Sequence, residues 1–249
     1  MSNFSPTDGE EWYKHAFQKD YLKRYAHRGA SEAVSFISYV HNTYNLGEAS
    51  ILDLCCGYGR FLKELSQHAK YSIGIDLSVD LLRSVPPDLD VSLIQGDMRI
   101  LPFQNETFNF VFSLFTSFGY FSDDAENFEV WHEVLRTLKP SGIYVFDFFN
   151  ASLVRVGIEA YAVQQFEDET LYITKEIDDV SNMIIKKVHS DESLSQIIIE
   201  ERVKLYDSTR LIAEAKKVGF TCLGHLGGYN GEVFDENVST RNILVLQKC

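Results

Sequence analysis

The chain has 249 residues, of which 45% are hydrophobic, so it can bury the core of one α/β domain that carries an insertion. Its formal net charge of −13 argues against a nucleic-acid partner, because phosphate binding draws its affinity from clustered lysine and arginine. No apolar window approaches the ~18 residues of a membrane span, and the polar start lacks the features of a signal peptide, so we expect a cytoplasmic protein without a membrane partner.

The first segment with regular periodicity is 11–44, which is predicted to form an N-terminal helical cap. Aromatic residues recur at roughly helical spacing in its first half, and apolar residues continue the pattern in its second half. Most of these rings should pack in the core. A helical segment that lies over a cofactor pocket can place a phenol or a guanidinium inside it, so Tyr21 and Arg28 are candidate cofactor-binding residues.

A strand, a glycine turn and a helix follow. The strand pattern ends with Asp53, the turn contains Gly57 and Gly59, and the helical pattern covers 61–65. Glycine at such a turn allows the backbone to approach a ligand closely. This arrangement is typical of the ligand-binding edge of an open α/β sheet.

Two further strands end in acids. The strand pattern 71–75 runs into Asp76, about 20 residues after Asp53, which is near the spacing of the ribose-binding acid in a Rossmann unit. The pattern 91–94 is followed by Asp97, which can accept a hydrogen bond from an exocyclic amine such as that of adenine. Together these acids make an adenosine-containing ligand the leading hypothesis.

The later elements alternate strand and helix, which implies a parallel sheet with helices on both faces. Between 151 and 206 the pattern changes to alternating apolar and polar residues, which predicts an insertion of two to four antiparallel strands. The predicted later elements are helix 78–84, strand 108–114, helix 123–138, a turn at 139–142, strand 143–148, insertion strands 171–177, 183–189 and 196–205, helix 207–218 and strands 220–224 and 242–246.

The predicted fold is therefore α/β, with a Rossmann-like, seven-stranded, mostly parallel sheet, helices on both faces and an antiparallel β insertion before the last helix. We treat the chain as a single domain in which the core comprises 45–150 and 207–249, and the insertion comprises 151–206. The ligand of such a sheet lies outside the carboxyl ends of the strands, where the three acids fall.

Taken together, the motifs resemble those of class I S-adenosylmethionine-dependent methyltransferases of the small-molecule type, including amino-sugar N-methyltransferases. The resemblance extends over nearly the whole chain. One departure is Cys55, because the family more often has Gly or Ala there. The matching segments are 52–59 for the first motif, 75–76 for the ribose-binding acid, 95–98 for the adenine-binding acid and 138–142 for the turn before the fifth strand.

The resemblance implies a methyltransferase that uses S-adenosylmethionine and releases S-adenosylhomocysteine. Asp53 faces the glycine turn, where it could hold a cationic group through the turn or through a water. The expected cofactor-binding residues are Asp53, Cys55, Gly57, Gly59, Asp76, Leu77, Asp97, Met98 and Leu114, together with Tyr21 and Arg28.

Three alternatives remain open. A nicotinamide-dependent enzyme usually has a third glycine to seat a pyrophosphate, but Leu62 stands at that position. A nucleic-acid methyltransferase of the adenine-amine type would carry an Asn/Asp-Pro-Pro-aromatic tetrapeptide after the fourth strand, and this chain does not. A binding or regulatory protein could keep the cofactor pocket without catalysis. Neither the cysteines nor the histidines form metal-spaced pairs, so no metal site is predicted.

Methyl transfer from a sulfonium is an in-line displacement, and positioning alone can supply about 7–11 kcal/mol in the best cases. A dedicated base is therefore optional. The aromatic loop 115–121 resembles the acceptor loop of small-molecule methyltransferases, and Tyr120 is the candidate to orient or deprotonate the acceptor. Asp147 and Asn150, at the end of the fifth strand, are the next candidates. The alternative for Tyr120 is a packing phenol, and the alternative for Asp147 and Asn150 is a structural cap. We expect a methyl group to go to nitrogen or oxygen of a small molecule, in a monomer or homodimer.

Overall fold

The computed structural model of the chain describes residues 11–18, 30–165 and 169–249, so the candidates Tyr21 and Arg28 lie outside the described residues. Within these ranges no helix is long and apolar enough to cross a membrane. The helices are α1 (Tyr13–Ala16), α2 (Ala30–Tyr44), α3 (Arg60–His68), α4 (Val79–Leu82), α5 (Asp124–Thr137), α6 (Ala151–Gly157) and α7 (Ser208–Val218). The strands are β1 (Ser50–Leu54), β2 (Tyr71–Asp76), β3 (Ser92–Gln95), β4 (Phe108–Ser113), β5 (Leu138–Phe149), β6 (Tyr161–Gln165), β7 (Thr170–Asp178), β8 (Met183–His189), β9 (Ile197–Lys204), β10 (Phe220–Leu226) and β11 (Arg241–Lys248).

Seven strands form one sheet in the order β10-β11-β5-β4-β1-β2-β3. The strands from β5 to β3 are parallel to one another, whereas β11 is antiparallel to both of its neighbours. The chain steps outward from β1 in one direction through β2 and β3, and then in the other direction from β4. The order therefore reverses between β1 and β4, where an open sheet forms its ligand crevice. This topology confirms the predicted Rossmann-like fold.

Helices cover both faces of the sheet, because successive residues of a strand point to opposite sides. On one face, α2 and α3 pack through Phe36 and Phe61, among others, against β1, β4, β5 and β11. On the other face, α5 and α7 pack through Trp131 and Leu211 against the same strands. Strands that are buried on both sides explain the nearly continuous apolar runs in the sequence.

The helix ends follow the predicted capping residues. Asp123 accepts a hydrogen bond from the Ala125 N–H at the start of α5, and Asp207 accepts one from the Arg210 N–H at the start of α7. These side chains satisfy N–H groups that have no partner within the helix. Gly219 ends α7 with a φ of 118°, a left-handed conformation that favours glycine.

Two predicted boundaries are wrong. The predicted turn at 139–142 lies within β5, which begins directly after α5; the pairing between β4 and β5 shifts register there, from Phe108 opposite Leu138 to Phe110 opposite Ile143. The predicted helical cap is also interrupted. In the described residues α1 ends at Ala16, because the backbone of Phe17 leaves the helical region with φ −100° and ψ 52°.

The insertion forms a separate four-stranded antiparallel sheet in the order β6-β7-β8-β9. It reaches the end of the main sheet through β9, where the Lys204 N–H donates to the Gly119 carbonyl at 2.8 Å. Through this hydrogen bond the insertion supports the aromatic loop that follows β4. The helix α6, which starts at its cap Asn150, was not predicted from the sequence.

We predict that Gly74→Ala destabilises the protein. A Cβ at this position on β2 would lie 2.6 Å from Leu62 Cδ2 and 2.7 Å from Cys56 Sγ, both in buried residues. Overpacking of this kind costs about 1–3 kcal/mol of unfolding free energy. The control is Gly157→Ala, where a Cβ would meet nothing within 4 Å. Urea denaturation that finds the two variants equally stable would contradict this account of the β2 packing.

Candidate active site

A cavity of about 350 Å³ opens at the carboxyl edge of β1, β2, β3 and β4, a volume within the range of small-molecule pockets. Gly59, the remaining predicted cofactor residue in the described ranges, does not line it; Gly59 precedes α3 with a φ of 82°. The predicted cofactor-binding residues that do line it are Asp53, Cys55, Gly57, Asp76, Leu77, Asp97, Met98 and Leu114.

The turn after β1 is left-handed at three positions, and this explains its glycines. Gly57 has φ 56° and Gly59 has φ 82°, values that cost glycine little. Cys55 has φ 60°, which costs a residue with a Cβ roughly 1–2 kcal/mol. Its Sγ contacts Met98 Sδ at 3.6 Å across the cavity floor. Cys55 therefore has a backbone conformation that glycine, one of the two residues more common here in the family, adopts without strain.

Asp76 ties the turn after β1 to the loop after β2. One carboxylate oxygen accepts from the Gly57 N–H at 2.8 Å, and the other accepts from the Ser78 N–H at 2.8 Å. Burial raises the pKa of Asp76, whereas these N–H groups act to lower it. Each oxygen keeps a lone pair for a ligand hydroxyl. The acid is thus held in place before any ligand arrives.

Asp97 has a partner that the sequence analysis missed. Arg99 donates to both carboxylate oxygens, with Nη2 to Oδ2 at 2.7 Å, and it also pairs with Glu126 and lies 4.4 Å from the centre of the Phe121 ring. Burial acts to raise the pKa of Asp97, but the hydrogen bonds and charge of Arg99 outweigh it and hold this pKa below its usual range. A ligand amine at this position must share Asp97 with Arg99. The sequence did contain a signal for this pair, because Arg99 stands two residues after Asp97.

Asp53 lines the cavity and is 3% exposed. Its Oδ2 has no hydrogen-bond partner among the described residues. Burial, with a contribution from the charge of Asp76, raises the pKa of Asp53 to about 8. An unsatisfied carboxyl group in a cavity is a candidate partner for a cation.

Arg60, the residue that follows the glycine turn, also lines the cavity. Its guanidinium lies 4.4 Å from the Phe61 ring centre and 4.6 Å from that of Phe115, and it pairs with Glu32 at 3.3 Å. The stacking orients a permanent cation toward the cavity. No local pattern marks this role, because Phe115 is distant in sequence.

The aromatic loop begins with two strained residues. Phe115 has φ 63° and Thr116 has φ 64°, both left-handed without being glycine. Their N–H groups donate to Asp147, that of Phe115 to Oδ2 at 2.6 Å and that of Thr116 to the carbonyl at 3.2 Å. Arg241 Nη2 donates to Thr116 Oγ1 at 2.9 Å. The surrounding contacts therefore hold the loop in an otherwise unfavourable shape.

Asp147 does not line the cavity. It is fully buried, with Oδ1 contacting Arg241 Nε and Nη2 at 2.8 and 2.7 Å, and Oδ2 accepting from the Phe115 N–H and from the Tyr229 hydroxyl at 2.6 Å each. We call Asp147, Arg241 and Tyr229 the Asp147 cluster. With two contacts on each oxygen, Asp147 has no site left for an acceptor. The structure thus corrects the prediction that Asp147 acts on the acceptor directly.

Tyr120 does line the cavity. Its hydroxyl donates to the Thr116 carbonyl at 2.9 Å, and its ring packs against Trp12 and Phe17, with centres 5.0 and 5.6 Å away. The Trp12 indole N–H donates to the Tyr120 carbonyl at 3.2 Å. The phenol is therefore fixed in orientation at the cavity wall.

Comparison with known proteins places this geometry among methyltransferases. Residues 51–142 match the family model of a methyltransferase domain. A cypemycin N-terminal methyltransferase from a Streptomyces species is 24% identical over 87% of this chain and 89% of its own length. A dTDP-3-amino-3,4,6-trideoxy-alpha-D-glucopyranose N,N-dimethyltransferase from Streptomyces venezuelae is 33% identical over 39% of this chain and 41% of its own length. The fold is shared with CalS10, an amino pentose methyltransferase from Micromonospora echinaspora solved with S-adenosylmethionine bound, at 18% identity, a TM-score of 0.67 and coverage of 92% of this chain and 96% of that one.

The sheet order and the acids at its carboxyl edge define a Rossmann-like α/β protein with a crevice for a nucleoside. Within that class, the chain is an S-adenosylmethionine-dependent methyltransferase, as its motifs predicted. Its cofactor is S-adenosylmethionine. This identity removes the nicotinamide enzyme from the alternatives.

We predict that Asp147→Asn lowers the unfolding free energy by about 3–5 kcal/mol, because it leaves the buried charge of Arg241 without its partner. Urea denaturation measures this loss. The control is Lys70→Gln, which breaks the exposed ion pair with Glu48 and should leave stability unchanged. Equal stability of both variants would show that the Asp147 cluster does not hold the loop.

Proposed function

We propose that this enzyme transfers the methyl group of S-adenosylmethionine to an amine nitrogen of a small molecule bound beside the aromatic loop. One observation carries the proposal. A single cavity has buried acids at the strand ends on one side and a fixed phenol among aromatic rings on the other. The first side suits a nucleoside, and the second suits a compact acceptor.

The cofactor is proposed to lie along the strand ends. Asp76 accepts from the ribose hydroxyls with the lone pairs that its two backbone contacts leave free. Asp97, shared with Arg99, receives the adenine amine, with Met98 beside the base. Asp53 lies beneath the methionine portion, where its unpartnered oxygen faces positive charge. Cys55, Gly57, Leu77 and Leu114 complete the walls, and Tyr21 and Arg28 remain candidates from the N-terminal segment.

Two cations on the cavity wall suit the cofactor's carboxylate. Arg60 and Lys14 both line the cavity, and the guanidinium of Arg60 is fixed between two aromatic rings. A planar guanidinium can bond both oxygens of a carboxylate. Arg60 is therefore our choice for this role, which the sequence analysis did not assign.

Tyr120 is proposed to orient the acceptor. Its hydroxyl is held at the cavity wall by the Thr116 carbonyl, and we place the acceptor's N–H beside it. This contact turns the nitrogen lone pair toward the methyl group, which is the positioning that an in-line displacement requires. The Asp147 cluster acts on the reaction by holding the loop that carries Tyr120. The insertion supports the same loop through Lys204.

Two observations favour nitrogen over oxygen. The relatives named above act, by their names, on an N-terminus, an amino sugar and an amino pentose. The chain carries a net charge of −13, and such a field attracts a cationic amine and repels a polyanion. Nucleic acid is thus disfavoured as the acceptor. We keep monomer and homodimer as the expected oligomeric states.

The test is turnover with S-adenosylmethionine and a panel of primary amines, amino sugars, short peptides and matched alcohols, followed by mass spectrometry. The expected products are methylated amines together with S-adenosylhomocysteine. Methylation of the alcohols but not of the amines would contradict the choice of nitrogen. Methylation of nucleic acid alone would contradict a small-molecule acceptor.

We predict that Tyr120→Phe lowers kcat/KM by about 2- to 13-fold, which corresponds to the loss of one hydrogen bond, and leaves cofactor affinity unchanged. Tyr71→Phe is the matched control, because Tyr71 is 64% exposed on β2 and lies outside the cavity. Steady-state kinetics and calorimetry give the two quantities. An undiminished rate would leave Tyr120 with a packing role.

Asp76→Ala should weaken S-adenosylmethionine binding about ten- to a hundredfold, because it removes hydrogen bonds to a charged acceptor. It also leaves the Gly57 and Ser78 N–H groups unpaired, so the measurement includes the stability of the variant. Asp88→Ala, at an exposed position outside the cavity, is the control. Calorimetry that finds unchanged affinity for Asp76→Ala would refute the ribose assignment.

A further inference from the structure

Among the buried acids of the described residues, Asp53 is the one with a carboxyl oxygen that has no hydrogen-bond partner. It is 3% exposed, its Oδ2 has no partner among the described residues, and it lines the cavity. A buried carboxylate without a partner is costly, so the group either holds a proton or awaits a cation. The neighbouring acid, Asp76, differs in that both of its oxygens accept backbone N–H groups at 2.8 Å.

The groups that face Asp53 come from three elements. On its own segment are the thiols of Cys55 and Cys56; burial raises the pKa of both, so they are neutral at physiological pH. From β2, the charge of Asp76 disfavours ionisation of Asp53. From α3, the Arg60 charge and the Leu62 N–H favour it, but burial outweighs them and the pKa of Asp53 is raised to about 8. Burial and the charge of Asp76 therefore favour a proton on Asp53 in the free enzyme.

The reaction changes the charge that Asp53 faces. S-adenosylmethionine carries a sulfonium, an ammonium and a carboxylate, whereas S-adenosylhomocysteine has lost the sulfonium charge. A cation that enters the cavity favours the ionised carboxyl, and a ligand without the sulfonium favours it less. Donor and product are otherwise nearly the same size, so a buried carboxyl can tell them apart by charge.

We propose that Asp53 makes cofactor binding proton-linked: the donor, with its sulfonium, displaces a proton from this carboxyl to solvent, and the product, which lacks that charge, allows the proton to return. On binding, the Asp53 O–H bond breaks and the proton leaves to buffer. In methyl transfer the S–CH3 bond breaks and an N–CH3 bond forms; the electron pair of the broken bond stays on sulfur, which becomes a neutral thioether, and the positive charge leaves with the methylated amine. Asp53 takes a proton from solvent as the products leave. This inference rests on the proposed cofactor placement. It assigns Asp53 as the residue that determines specificity for donor over product.

Calorimetry near pH 7, in buffers of different ionisation enthalpy, counts the protons released on binding. We expect close to one proton with S-adenosylmethionine and less than half of that with S-adenosylhomocysteine. Asp53→Asn should release none with either ligand and should bind the two with more nearly equal affinity. The ligand's own amino group titrates alike with wild type and variant, so it cancels in the comparison. Asp88→Asn, at an exposed position, should behave as wild type.

Affinity measured with the wild type alone gives a second readout. Binding of the donor should strengthen by up to about tenfold per pH unit between pH ~6 and ~8 and then level off, as linkage to one proton requires. Binding of the product should change less. This measurement stands even if Asp53→Asn does not fold.

Stability of the free protein tests the proton without any ligand. Because the pKa of Asp53 is raised to about 8 by folding, the native state alone holds this proton between pH ~4 and ~8, and stability is lost over that interval as pH rises. The melting temperature of wild type should therefore fall relative to that of Asp53→Asn across this range.

The outcomes separate the two proposals. Donor binding with no proton release, equal release with donor and product, or wild-type release by Asp53→Asn would overturn the role of Asp53 and leave the cofactor placement standing. Failure of the donor to bind, or its binding elsewhere in a complex structure, would overturn both.

Discussion

The bridge made by Asp76 is the interaction on which the cofactor cavity depends. Its two oxygens hold the N–H groups of Gly57 and Ser78, which belong to loops after different strands. Those loops form two walls of the cavity. A carboxylate can do this because it accepts up to four hydrogen bonds, so it can fix both loops and still receive a ribose. The preorganisation reduces the entropy that a ligand must lose on binding.

Several unfavourable features of the structure lie in or beside this cavity. Cys55, Phe115 and Thr116 adopt left-handed backbone conformations, and Asp53 is buried with an unsatisfied oxygen. Each lowers the stability of the free protein and is tolerated because the packing around it determines its conformation. The buried Asp147 cluster shows how this is achieved for the aromatic loop. A cationic cofactor would relieve the electrostatic part of this cost. The burial that destabilises the free protein would then also strengthen cofactor binding.

Local chemistry explains which parts could be predicted from the sequence. Apolar runs, turn glycines and acids at strand ends are short-range signals, and they predicted the sheet and three residues that line the cavity, Gly57, Asp76 and Asp97. The partners of those residues were harder to predict. Tyr229 binds Asp147 across 82 positions of the chain, and Arg241 does so across 94. Such pairs are set by the meeting of β5 with β11 and its preceding loop, which no local pattern reports. The sequence analysis therefore named Asp147 as a candidate to act on the acceptor, whereas in the structure Asp147 holds the aromatic loop through the N–H groups of Phe115 and Thr116.

A crystal structure of the enzyme with S-adenosylhomocysteine tests the central claim most directly. The account predicts that both ribose hydroxyls bond the carboxylate of Asp76 and that the adenine amine lies at Asp97. It also predicts that the sulfur lies between Asp53 and Tyr120. A ribose bonded to other residues, or a product bound outside this cavity, would contradict the account.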